Sequence, residues 1–459
     1  MKAIIAATII GVVLMFTGIL VKEKKGIATL AAILFFLLLG VNIWELSTLD
    51  ANQPQAFFNN MLRIDRYSVW FNTLMTACTV LYVMLSGREI QKVGIHVSDY
   101  FALMSFMLVG LYMLSGYSNM LVLFLGIEII SIPQYILAGS DKKNLKSSEA
   151  SLKYFLMGAF TTGILLMGIT LLYGASGTFD IARFTFLQAD SLNPMALCGI
   201  IFLIIAFAFK VSAAPMHMWT PDVYDGSPTP FTAFMSTVVK AAAFIAFIKL
   251  FHISFNSLSG HWTMIIAVIT AATLLVGNVT AVFQQSVKRM MAYSSIAQAG
   301  FMLFAVLSIS ATSWQGLIIY AVSYTVATMG VFAVLMKLKD FTYDGFNGLA
   351  KREPLLAFVM TIFLLSLAGI PLTGGFMAKY FMLTAAVEQG QVLWLVIFAL
   401  LMAAISVYYY FRVIIAMYFK QGSPEMSSPV TAGDRLVLVA TAALVILLGV
   451  APGLLLKFI

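Results

Sequence analysis

The sequence predicts an all-α polytopic membrane protein, and three observations carry that prediction. Of its 459 residues, 61% are hydrophobic and only 10% charged, too little polar surface for a soluble domain of this size. Apolar runs of about 20 residues, the length that crosses a ~30 Å hydrocarbon core at 1.5 Å per residue, recur from end to end. The Lys and Arg residues gather in short connections between those runs, so the net charge of +8 reads as a topological signal and not as a nucleic-acid surface.

Fourteen spans follow, near residues 3–21, 27–46, 67–86, 99–115, 119–138, 149–174, 194–214, 228–250, 262–283, 290–309, 315–337, 354–388, 392–417 and 434–456. Span 1 is followed, not preceded, by its basic cluster Lys22, Lys24 and Lys25, the wrong polarity for a cleaved signal peptide. Counted on alternate sides, one side carries seventeen Lys and Arg, while the other has only Lys2, Arg63, Arg66, Arg183 and Lys457. The positive-inside rule places the richer side in the cytoplasm and both termini outside. The five lysines left over, Lys153, Lys210, Lys240, Lys249 and Lys379, fall within spans.

Two spans are interrupted. Span 12, at 35 residues, is too long for one crossing and contains Gly369-Ile-Pro-Leu-Thr-Gly-Gly375; span 7 runs into Pro215 just after Lys210. Broken helices at membrane depth are tolerated where they line a protein-buried or watery cavity. Span 7 is the fourth of a block 4–8 and span 12 the fourth of a block 9–13, and an odd-numbered block inverts its second copy. The chain divides accordingly into spans 1–3 (residues 1–98), a first five-span repeat (99–250), a second (262–417) and a closing span (434–459). The longest polar connections, around 47–66, 175–193, 338–353 and 418–433, leave no room for a soluble domain.

Cys78 and Cys198 have no CxxC partner, and no GxGxxG after a strand or GxxxxGK[ST] occurs, so redox or nucleotide chemistry would have to belong to partner chains. The charges within spans are the distinctive feature. A lysine at the centre of a membrane helix costs roughly 2.5 to 3.5 kcal/mol, against a net protein stability of about 5 to 15 kcal/mol. Glu128 has apolar neighbours for more than a turn on both sides, Lys240 lies far from either end of span 8, and Lys210 and Lys379 adjoin the two breaks. Lys153 follows Glu149 by four residues, a favourable ion-pair spacing close to the inner end. Lys249, at the outer end of span 8, is expected to snorkel, and His217 alone of the histidines stands near a break and its lysine. An amine kept from water releases its proton more readily, and a nearby acid restores the charged form. A row of Glu128, Lys210, Lys240 and Lys379 therefore reads as a proton relay in the membrane plane, with water in the breaks between its members.

The stretches 210–234 (KVSAAPMHMWTPDVYDGSPTPFTAF), 238–244 (VVKAAAF), 126–139 (GIEIISIPQYILAG), 147–159 (SSEASLKYFLMGA), 288–303 (KRMMAYSSIAQAGFML) and 367–381 (LAGIPLTGGFMAKYF) resemble the antiporter-like subunits of the proton-pumping NADH:quinone oxidoreductase, respiratory complex I, and among them the N type. The resemblance spans essentially the whole chain. It implies fourteen transmembrane helices with inverted repeats, a Glu128–Lys210 pair modulated by Lys153, Lys240 as central relay, and Lys379 as relay toward the next subunit or the outer face. It implies no cofactor in this chain. NADH, FMN, iron–sulfur clusters and quinone are expected in partner subunits, with the neighbouring antiporter-like subunit M and small membrane subunits as contacts, in a bacterial inner membrane. The alternative is a subunit of a multisubunit cation/proton antiporter or of a related membrane-bound hydrogenase or photosynthetic complex. The absence of a second carboxylate at membrane depth weighs against Na⁺, since hard cations take oxygen ligands.

Overall fold

The computed structural model describes residues 1–20, 23–50, 53–93, 96–186 and 193–457. The expected end of span 1 at Val21, Lys22 of its basic cluster, parts of the connections at 47–66 and 175–193, and the final residues of the closing span lie outside the described residues. The helices are α1 (Lys2–Leu20), α2 (Lys24–Thr48), α3 (Arg66–Ile90), α4 (Val97–Gly116), α5 (Met120–Ala138), α6 (Leu145–Ser176), α7 (Pro194–Lys210), α8 (Trp219–Gly226) and α9 (Thr229–Ser254). They continue with α10 (Asn256–Val282), α11 (Val287–Leu307), α12 (Ala311–Leu335), α13 (Pro354–Ala368), α14 (Gly374–Gln389), α15 (Leu393–Phe419) and α16 (Ala432–Val450). Among the described residues, twelve helices are long and apolar enough to cross a membrane; α7 and α13 are apolar but shorter.

Local chemistry fixes where spans begin. Side chains of Asp65, Asn119, Asn144 and Asn193 accept from backbone N–H groups two or three residues on, at the starts of α3, α5, α6 and α7, and α12 and α16 open with reciprocal boxes, Ser310 with Ser313 and Thr431 with Asp434. Such caps satisfy amides that a helix end leaves orphaned and that lipid cannot hydrate. One departure from an all-helical reading is a short hairpin, β1 (Gln55–Phe57) paired antiparallel with β2 (Leu62–Ile64), turning through Phe58, Asn59 and Asn60 at positive φ.

The helices sort into an interior and a rim. In its most apolar stretch α12 is fully buried, α11 and α9 nearly so, whereas α1 and α16 bury about a quarter of theirs (28%). Polar chemistry that must avoid lipid therefore belongs on α9, α11 and α12. Both interruptions fall as expected in kind, with one shift in place. Span 7 ends at Lys210, four residues early, because Ser212 turns to φ +65 and the chain closes on itself through Val211 N–H to Phe207 O and Ala213 N–H to Ala208 O. Span 12 stops at Ala368, and Gly369, at φ +87, caps it with its N–H on Leu365 and Ser366 carbonyls.

Candidate functional site

Lys240 sits at mid-span in α9, 2% exposed, directly after a π-turn over Met235–Val239, a local widening that recurs at functional sites. Its Nζ donates to the carbonyl of Ser295 (3.0 Å) and to the Ser295 hydroxyl on α11, and Tyr324 on α12 donates to that same hydroxyl (3.0 Å). Lys379, on α14, turns back across the second break and donates to Leu367 O (3.1 Å) and Ala368 O (2.8 Å), the orphaned carbonyls at the end of α13. Its ammonium also stands 4.8 Å from the Phe301 ring centroid.

A row of polar side chains on α11 runs between these two lysines. Gln298 Nε2 donates to Leu367 O (2.9 Å), the carbonyl that Lys379 also uses, and to Tyr410 Oη (3.3 Å) on α15. The Tyr410 hydroxyl shares a 2.6 Å bond with Ser294, and Tyr320 donates to Gln298 Oε1. Ser294 is the immediate neighbour of Ser295, the partner of Lys240. Sequence reading missed this row, because serines and glutamines inside spans are individually unremarkable; its signal was the SSxxQ spacing within KRMMAYSSIAQAGFML, which sets three polar groups on adjoining turns of one buried helix.

The first repeat is arranged differently. Lys210 donates to Ser131 Oγ (2.8 Å) on α5, and the Glu128 carboxylate accepts from Thr162 (2.8 Å) on α6. The expected Glu128–Lys210 pair does not come within the 4 Å of an ion pair: one oxygen of Glu128, one helical turn before Ser131, is held by Thr162, and Lys210 bonds the serine instead. A cavity lies between Lys210 and Lys240, lined also by Ser131, Gln134, Tyr154, Trp219 and Tyr224. The space open to water centres is about 30 Å³, room for about two waters at roughly 10–15 Å³ each.

Among the described residues, none of the ion pairs within 4 Å involves Lys210, Lys240 or Lys379. Their partners are neutral hydroxyls and carbonyls. A serine hydroxyl accepts from an ammonium and donates to a neutral amine, and a neutral amine still has N–H bonds for a carbonyl. The geometry thus tolerates either protonation state, which a buried carboxylate partner would not.

The remaining charges lie outside this row. Lys153 forms its expected pair with Glu149 (2.7 Å) and a second with Asp222 (3.1 Å) on α8, which also binds Arg289 (3.0 Å); it contacts neither Glu128 nor Lys210 by hydrogen bond or ion pair. Burial opposes ionisation of Asp222, but hydrogen bonds and charge from Lys153 and Arg289 prevail and hold its pKa below the usual aspartate value. His217 is half-buried in the first break. Lys249 does not snorkel: it is 7% exposed and donates to Ser115 O (2.8 Å), because the end of α9 is walled in by α3 and α4. A further buried acid, Glu45 near the end of α2, receives the N-terminal amine and the amides of Lys2 and Ala3.

The profile described as NADH:quinone oxidoreductase/Mrp antiporter, transmembrane, matches residues 117–406. A protein of Cytophaga hutchinsonii named NADH-quinone oxidoreductase subunit N is 41% identical, covering 100% of this chain and 99% of its own. Among solved structures, a chain of respiratory complex I from Thermus thermophilus with bound aureothin superposes with a TM-score of 0.84 at 29% identity, covering 99% of both chains. A chain of the membrane-bound sulfane sulfur reductase, an archaeal respiratory membrane complex, gives 0.89 at 25% identity, covering 99% of this chain and 95% of that one. With a full-length relative at that identity and a profile covering most of its spans, the chain belongs to the NADH:quinone oxidoreductase/Mrp antiporter family of membrane subunits.

Proposed function

We propose that this chain is the proton-translocating N-type subunit of an NADH:quinone oxidoreductase, and that protons move laterally through Glu128, Lys210, Lys240 and Lys379, with Lys153 modulating the charge around Glu128 and Lys210. The observation that carries this reading is Lys240: an amine buried at mid-span without a counter-ion, standing between a water-sized cavity toward Lys210 and a hydrogen-bonded row on α11 toward Lys379. A proton on the Lys210 side reaches Lys240 through cavity water. From there it passes toward Lys379 beside the Ser294, Tyr320 and Tyr410 hydroxyls, which both donate and accept, while the Gln298 amide and Leu367 carbonyl fix the far end without handing on a proton, so water completes the path. Charge on one lysine disfavours charge on the next, so a field arriving at one end shifts proton affinity along the row.

In this reading the complex oxidises NADH elsewhere: FMN, iron–sulfur clusters and quinone sit in partner subunits, and this chain supplies the translocase with no redox site of its own. Its fourteen crossings comprise the twelve long helices and the two interrupted spans. They divide as residues 1–98, 99–250, 262–417 and 434–459, with both termini on the periplasmic side of a bacterial inner membrane. Subunit M and small membrane subunits are its expected neighbours.

The test is Lys240→Ala in the intact complex. Redox-driven proton pumping and coupled quinone reduction should fall steeply, while electron transfer from NADH to an artificial acceptor stays at the wild-type rate. Pumping at the wild-type level would remove Lys240 from the path. A wild-type chain that migrates on a native gel apart from any NADH-oxidising band would favour an ion-driven antiporter instead.

A further inference from the structure

The eight-residue helix α8, packed beside α6, stands between an internal cavity and a mouth at the surface. Its inward side chains, Trp219 and Tyr224, line the cavity that holds Lys210 and Lys240, and the Trp219 indole stacks on Tyr154 of α6, ring centroids 4.5 Å apart and 16° from parallel. On its other side Asp222, Asp225 and Gly226 line a mouth of about 200 Å³ that opens at the surface, walled also by Lys146, Glu149, Lys153 and Arg289. Three cations grip this short helix. Lys153 and Arg289 hold one Asp222 oxygen each, at 3.1 and 3.0 Å. Lys288, only 4% exposed, donates to the carbonyls of Asp225 (2.8 Å) and Ser227 (2.6 Å) at the C-terminal end of α8.

Eight residues make about two turns, too few to be stable alone, and a buried lysine whose bonds cap another element's carbonyls is costly to lose. Lys288 and Arg289 begin α11, the helix whose next turns carry Ser294, Ser295 and Gln298. The element that holds α8 therefore also holds Lys240.

We propose that α8 is the proton-intake door of this subunit, latched by Asp222 between Lys153 and Arg289 and by Lys288 on its end carbonyls. The direction of intake rests on the functional reading above. With the latch released, water joins mouth to cavity past the Tyr154–Trp219 stack. A hydronium then gives its proton to an unprotonated amine of Lys210 or Lys240, leaving water and an ammonium. Asp222, Lys288 and Arg289 are positioning residues in this scheme: they touch the door, not the proton.

The test uses the intact complex in proteoliposomes with Asp222→Asn, Arg289→Gln and Arg289→Lys. Two readouts need no turnover: amide hydrogen exchange over residues 219–226, and passive decay of an imposed pH step. Asp222→Asn and Arg289→Gln should each raise exchange there by about tenfold, the change that ~1.4 kcal/mol makes in an opening equilibrium, and should speed the decay severalfold. Arg289→Lys, which keeps the charge, should restore both toward wild type. Arg289→Gln carries the test should Asp222→Asn fail to assemble. Unchanged exchange in Arg289→Gln overturns the latch, and raised exchange with unchanged decay overturns the door. Failure of the functional reading is seen separately, as a wild-type complex that pumps nothing on NADH while the latch readouts still respond.

Discussion

The two interrupted spans look alike in sequence, each a lysine beside a helix break, yet the breaks are closed by different means. In the first, the carbonyls at the end of α7 are taken by Val211 and Ala213 amides and by the Trp219 indole (3.2 Å to Phe209 O), while Thr273 serves the Ala214 amide (2.9 Å). Lys210 is therefore free to reach across to Ser131. In the second, Lys379 itself, together with Gln298, satisfies Leu367 and Ala368. A lysine that completes the backbone is part of the fold as well as of the proposed relay. Where no water can reach an orphaned carbonyl, something must bond it.

The sharpest way to break this comparison is to remove each amine with a side chain of similar length. Lys379→Met should abolish pumping and also destabilise, by about 1–3 kcal/mol for a carbonyl left unpaired, read as a lower midpoint of thermal dissociation of the complex. Lys210→Met should abolish pumping with stability near wild type, because Ser131 keeps its bond to Ile127 O (2.7 Å). Equal destabilisation by both would show that the two lysines do the same structural work.

A smaller contrast lies in the backbone. Gly369 stands at φ +87, and a Cβ there would meet Lys379 Cδ at 2.9 Å. Gly369→Ala should thus cost about 1–2 kcal/mol of left-handed strain and displace the relay amine, lowering pumping as well. At the first break the left-handed position is held by Ser212, at φ +65. Ser212→Gly relieves strain while loosening the unfolded chain, so stability should move by less than about 1 kcal/mol. Thermal dissociation of the two variants side by side checks both signs.

What could be read in the sequence divides along the same line. Helices stand at every expected span position, and both breaks were legible, because hydrophobic length and Gly/Pro punctuation act along the chain. The burial of Lys240 and Lys379 was legible because a deep lysine is costly wherever it points. What escaped depends on neighbours brought from elsewhere. Lys249 lies near the end of α9, but that end opens into protein, so distance to the span boundary misjudged it. The Glu128–Lys210 pair came with the family resemblance, but in the fold Thr162 bonds one Glu128 oxygen and Ser131 takes Lys210. Asp222 sits in a polar turn of the sequence, and only the fold brings it between Lys153 and Arg289.

That last cluster gives the smallest expected effect, and it is an effect of sign. Asp222 is held below the usual aspartate value, so whatever its carboxylate contributes is fully present above about pH 4 and is lost only as pH falls through its lowered folded value. Lys146, Glu149, Lys153, Asp225 and Arg289 face it from α6, α8 and α11. Between pH 6 and 8, amide exchange over α8, corrected for its intrinsic pH dependence, should therefore stay flat, with opening confined to strongly acidic solution. An inflection near neutrality would mean that α8 answers to protonation of the buried amines behind Trp219 and Tyr224 and not to its surface clamp. The mouth would then be coupled to the relay from within, and the two interrupted spans would share a dependence on their lysines that their hydrogen bonds do not display.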